Sequence, residues 1–293
     1  MTKMDNIRMH IGTIVLFLFL LQPSWMEGAE NGHLEHIKQA LGTSSLPQTE
    51  QAVVNAKAAA ALHAGVPAED VEIIVFRAVG RGSDGGTINR LLDVSTSAKI
   101  EGLPVAPLLN RIEQGLSKGV PPERIAAASE RLAEKLSEAR PFVDALIRDG
   151  VKPRRSNERE AAIESAARAL EKSVPAEAIE TMGAAVKDKQ GSLPLFTRAV
   201  DTATYLTGNG LPSQKAAQLV QHAVEQGYSE RDLDGMVKKM DAEMRQGARA
   251  EEAAAKMERE NMPREQDKGR QDMQSNHGGG AGPGMGGMGG RGR

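Results

Sequence analysis

The sequence contains no cysteine. That absence excludes disulfide staples, thiol nucleophiles, thiolate metal sites and a lipid anchor carried on cysteine. Aromatic residues are nearly as scarce, at 3% of 293 residues, with one tryptophan, Trp25, and two tyrosines, Tyr205 and Tyr228. A sugar groove built on aromatic platforms has little to draw on. Neither sign of charge dominates: 37 Lys and Arg stand against 39 Asp and Glu, interleaved along the chain, for a net charge of −2. Bulk charge therefore attracts neither nucleic acid nor an anionic membrane, and no nucleic-acid partner is expected.

Long apolar runs are missing as well, apart from residues 11–21, which follow Lys3 and Arg8. Eleven apolar-biased residues are too few to span a bilayer, where about 20 are needed, and a basic start before a short apolar run reads as an export signal over 1–29. We expect cleavage after Gly28 or Ala29, and a periplasmic or secreted bacterial protein. The alternative is an inner-membrane anchor left by an uncleaved N-terminal segment, which is the one membrane contact expected. At the other end, residues 263–293 turn polar and then glycine-rich, with Gly284-Met285-Gly286-Gly287-Met288 near the terminus. Glycine loses the most backbone entropy on ordering and little apolar surface offsets it, so the expectation there is a disordered spacer.

What the chain does have is alanine-rich helical sequence punctuated by recurring stops. Gly65-Val66-Pro67, Gly102-Leu103-Pro104 and Gly119-Val120-Pro121 return as Ser173-Val174-Pro175, Gly210-Leu211-Pro212 and Gly227-Tyr228-Ser229. The differences 173 − 65, 210 − 102 and 227 − 119 are each 108. Glycine at such a stop reaches positive φ without steric cost, the apolar residue folds back on the finished helix, and Pro or Ser opens the next. Between stops the period is helical: Ala216, Leu219, Val220, Ala223 and Val224 form one stripe, as do Leu108, Leu109, Ile112 and Leu116.

These signals predict an all-α fold of antiparallel helical hairpins in two duplicated units, as a bundle or a short solenoid. Helices are expected over 33–41, 48–64, 67–79, 87–101, 104–118, 122–138 and 141–149, then 157–172, 175–189, 194–208, 212–226 and 229–262. The organisation expected is a first helical unit over 33–149, a linker over 150–156, a second unit over 157–246, and an extended helix over 247–262.

Several motifs invite chemistry. Gly80-Arg81-Gly82-Ser83-Asp84-Gly85 is a literal G-x-G-x-x-G after the β-branched run 71–76, which elsewhere announces a dinucleotide-binding turn. Its counterpart 108 residues on, near Lys189-Gln190-Gly191-Ser192, carries no such fingerprint, and no other strand is predicted, so an interhelical loop is expected. His33 and His36 are spaced to share one helix face, but Glu35 points elsewhere, and exposed histidines are the reading adopted. His63 suits a helix C-terminus, and His222 flanks an apolar stripe. No H-E-x-x-H, G-x-S-x-G or S-x-x-K occurs, so neither catalytic residues, cofactors nor metals are assigned.

The best functional clue is the last helix, where Leu233, Val237, Met240 and Met244 follow a coiled-coil-like 4-3-4 spacing and methionine offers an adaptable surface. They are the candidate partner-binding residues. The role expected is an exported, non-catalytic interaction or scaffold protein binding a protein partner or itself. The alternatives are a cell-wall-acting all-α hydrolase or lyase, and a small-molecule or lipid carrier.

Overall fold

A computed structural model of the chain describes residues 25–261. Residues 1–24 of the leader expected over 1–29, and the tail expected over 263–293, lie outside the described residues. Twelve α-helices and no strand occur among the described residues: α1 (Trp25–Gly42), α2 (Gln48–His63), α3 (Ala68–Gly80), α4 (Gly85–Ile100), α5 (Ala106–Ser117), α6 (Pro122–Arg148), α7 (Glu158–Glu171), α8 (Ala176–Asp188), α9 (Leu193–Gly208), α10 (Ser213–Glu225), α11 (Glu230–Arg245) and α12 (Ala250–Asn261). They pack as antiparallel neighbours. No helix among the described residues is long and apolar enough to cross a membrane.

The stops work as hydrogen-bonded devices. Val66 N–H donates to Ala61 O at 3.0 Å, Leu103 to Ala98 at 2.9 Å, Val174 to Ala169 at 3.0 Å and Leu211 to Leu206 at 3.1 Å, the six-residue closure of a Schellman turn. Each of these apolar residues is then buried against the helix it ends. The residue before it takes positive φ: Gly65 at 84°, Gly102 at 69°, Gly210 at 96° and, without glycine's freedom, Ser173 at 61°. Gln190 does the same at 52°, in the place of Gly82 at 70°. Spacing within these positive-φ residues is regular too: 102 − 65, 119 − 82, 210 − 173, 227 − 190 and 247 − 210 are all 37. One turn of the pattern is thus two helices and their two stops.

Packing follows that spacing. Most helices lie against their next but one: α1 on α3, α2 on α4, α3 on α5, α4 on α6, then α6 on α8, α7 on α9, α8 on α10 and α9 on α11; α5 and α7, and α10 and α12, make no comparable contact. Side-chain bridges repeat at the same interval, with Lys57–Asp93 at 2.8 Å spanning 36 residues and Arg77–Glu113 at 3.3 Å spanning 113 − 77, again 36. Such exposed pairs are each worth at most about 1 kcal/mol. The stability lies in the apolar seam: one contiguous core runs from Ile37 to Met257 and passes residues 150–156 through buried Val151.

Three expected boundaries differ. The break expected near residue 140 is absent, and α6 runs 27 residues with Pro141 inside it. Leu132, Leu136, Ala139, Val143 and Leu146 stay buried along that helix, and its packing against α7 outweighs the one hydrogen bond proline removes. The expected last helix over 229–262 is instead two, because Gly247 at φ 95° ends α11 and α12 folds back, burying Ala253, Ala254 and Met257. The first helix begins at Trp25 rather than at residue 33. The Gly80–Gly85 motif is a helix-to-helix turn: residues 71–80 are helical and Asp84 caps α4, accepting from Thr87 N–H at 2.7 Å.

Candidate functional site

A groove opens beside α10, and smaller clefts of about 520 and 390 Å³ lie between α4 and α6 and between α6 and α8. Gln214, Lys215, Gln218, Leu219, His222, Ala223 and Gln226 share one face of that helix, at i, i+1, i+4, i+5, i+8, i+9 and i+12. Toward the core this face is apolar, with Leu219 and Ala223 each only 7% exposed, and toward solvent it is amide, amine and imidazole. With Tyr228 in the following turn, Met236 on α11 and Glu258 on α12, it lines a groove of about 710 Å³. A smaller cleft of about 500 Å³ shares Tyr228 and Met236 and continues between α11 and α12 past Met257.

The stretch 108 residues earlier packs differently. There α5 packs closely on α6, whereas α10 lies against α8 and α9 and stands off from α11 and α12. Gly115 permits the close approach: a Cβ on it would fall 2.7 Å from Cγ1 and 2.9 Å from Cδ1 of Ile125. In the second half those two positions are Ala223 and Leu233. Alanine there carries the methyl group that Gly115 lacks.

Electrostatics within the groove is simple. Burial, and secondarily the charge of Asp232, pushes the Tyr228 phenol above its ordinary pKa, so the ring offers a neutral hydroxyl at its edge. Asp232 itself is held below the usual carboxylate range by the Ser229 hydroxyl and amide of the capping box that opens α11. His222 Nδ1 stands 3.8 Å from Glu225 Oε2 at the rim. Lys215 on one wall and Glu258 on the other make no ion pair among the described residues.

Of the four residues expected to bind a partner, Leu233 and Met240 are fully buried in the chain's own core, and Val237 and Met244 are half-buried. The seam they form faces inward; Met236, one residue before Val237 and itself only 3% exposed, lines the floor of the groove. His33 and His36 do share a ligand-like partner, Glu72 on α3, at 2.6 and 3.2 Å, and Glu35 pairs with Lys38 instead. No group of three or more His, Asp or Glu side chains is arranged to hold a metal ion among the described residues. His33 is also half-buried rather than exposed, since α1 docks on α3 there. Comparison of the chain with protein-family models, curated proteins and solved structures finds no match.

Proposed function

We propose that this protein is an exported, non-catalytic helical scaffold that binds a protein partner through the groove between α10 and α11–α12. Its architecture is read as a short solenoid of two duplicated blocks, over 33–149 and 157–246, joined at 150–156. The offsets of 108 residues in the stops and of 37 between alternate stops support that reading. The extended segment over 247–262 is read as the wall that completes the groove.

The observation that carries the function is the open, apolar-floored groove beside α10, which, like α5, packs on no helix two places further along the chain. Stacked helical repeats bury their faces against neighbours, and a face left open at the end of a stack is available to a partner. A leader of export type places that partner in the periplasm or outside the cell. The test is isolation of the mature full-length protein from the cell envelope, with N-terminal sequencing and light scattering. A new N-terminus near residue 29 and a complex of fixed stoichiometry with a second protein are expected. An intact leader, or a bare monomer after incubation with envelope extract, would refute the reading. A second reading, a carrier of a small apolar molecule, is favoured by the groove's volume, which lies in the range of about 300–1,000 Å³ typical of small-molecule sites.

A further inference from the structure

We propose that the groove receives an amphipathic helix of the partner, with its apolar face on Leu219, Ala223, Tyr228 and Met236, an acidic flank along α10 and a basic flank along α12. This rests on the scaffold reading above and specifies its partner. Three observations select a helix of that chemistry. The α10 wall from Lys215 to Gln226 runs about 16 Å at 1.5 Å per residue, three turns, which matches anchors at i, i+3 or i+4, and i+7 of an incoming helix. The neighbouring rows are filled by helices, so a helix laid along α10 restores the next-but-one contact that α12 does not supply.

Charge then fixes its direction and flanks. Lys215 stands on α10, and Glu258 stands opposite on α12. A helix carrying carboxylates on one flank and amines on the other meets both walls in register; the reversed arrangement puts like charges together.

The chain's own C-terminal segment is the competing occupant, because α12 ends at Asn261, three residues after Glu258, and 32 residues follow. Its apolar content is confined to isolated methionines such as Met285 and Met288 among glycines. Ordering so glycine-rich a stretch costs more than two buried methionines return. A partner helix, with its backbone bonds already made, avoids most of that cost.

The absence of cysteine makes the test direct. Gln218→Cys in the full chain gives a unique thiol on the exposed part of the α10 wall, to be labelled with a benzophenone photo-crosslinker and irradiated in envelope extract. Sequencing of the cross-linked peptide should give a segment of one other protein, apolar at 3–4 residue spacing, acidic on one flank and basic on the other. Its yield should fall about tenfold or more with Met236→Glu and about threefold with Lys215→Glu, rim charges being worth less than a central anchor. Ala223→Leu, which fills the groove from within, is the second variant should Met236→Glu unfold. The proposal is overturned by cross-links to residues 262–293, to a second copy, or to a lipid or small molecule. It is overturned equally by an adduct no stronger than one from Ser137→Cys in the α4–α6 cleft. If that last case still shows a captured partner, the scaffold reading stands and the groove assignment fails; if nothing is captured from any position, both fail.

Discussion

Replacing Gly115 with alanine should lower stability, even though alanine is the better helix former. In an open helix interior the exchange gains about 1 kcal/mol. At Gly115 the added methyl group falls 2.7, 2.9 and 3.3 Å from three side-chain carbons of Ile125, which is 2% exposed and held in the first turn of α6. Forcing a methyl group into so full a contact costs about 1–3 kcal/mol, so the net is a loss of about 1 kcal/mol. For a folded region of this size that lowers the melting temperature by about 2–4 °C.

Gly235, inside α11, is the control: a Cβ there meets nothing within 4 Å, and Gly235→Ala should raise the melting temperature by a similar amount, about 2–4 °C. Thermal and urea unfolding followed by circular dichroism read both. Adding Ile125→Leu to Gly115→Ala recreates the Ala223/Leu233 pair of the second half and should recover part of the loss, because leucine moves the branch away from the contact. If Gly115→Ala stabilised as much as Gly235→Ala, the account of the close α5–α6 contact would be wrong.

Other outcomes follow from the same geometry. Asp84→Ala should cost about 1 kcal/mol by leaving the α4 amides uncapped. The Asp84 carboxylate is held below its ordinary pKa chiefly by the Thr87 amide, so its contribution is fully present above the unfolded value near 3.8 and is lost as pH falls through the folded one. Urea midpoints of wild type and variant should therefore converge toward strongly acid pH, and a constant gap would exclude the cap as its source. Ser173→Gly and Gln190→Gly place glycine at stops where the backbone already takes φ of 61° and 52°. Each should stabilise by about 0.5–1 kcal/mol through relief of left-handed strain, less glycine's extra entropy in the unfolded chain. A lower midpoint for either would argue against strain at those stops.

Much of the fold was legible because its punctuation is local. A glycine stop, an apolar fold-back residue and a proline or serine start depend on three neighbouring residues, and Gly65, Gly102, Gly119, Gly210 and Gly227 all take positive φ as expected. Where a distant contact decides, the sequence misled. Pro141 looks like a boundary, yet α6 continues through it because both of its halves keep one buried stripe. Gly247 was read as part of a helix, although it stands 37 residues after Gly210 and ends α11 as Gly210 ends α9. The candidate site was the least legible feature. The spacing of Leu233, Val237, Met240 and Met244 marks a seam without saying whether the chain itself fills it, and here α9 and α12 do much of that. Ala223 stands 108 residues after Gly115, a difference plain in the sequence, whereas the groove beside it shows only once the helices are placed.

The central claim, that this scaffold works through the open groove beside α10, is tested most directly by hydrogen–deuterium exchange on the full-length protein, free and in the complex recovered from the cell envelope. The account predicts new protection confined to α10, the turn at Tyr228, α11 and α12, with α1–α5 unchanged. Protection confined to α1–α5, or none anywhere in a chain that has bound its partner, would contradict it.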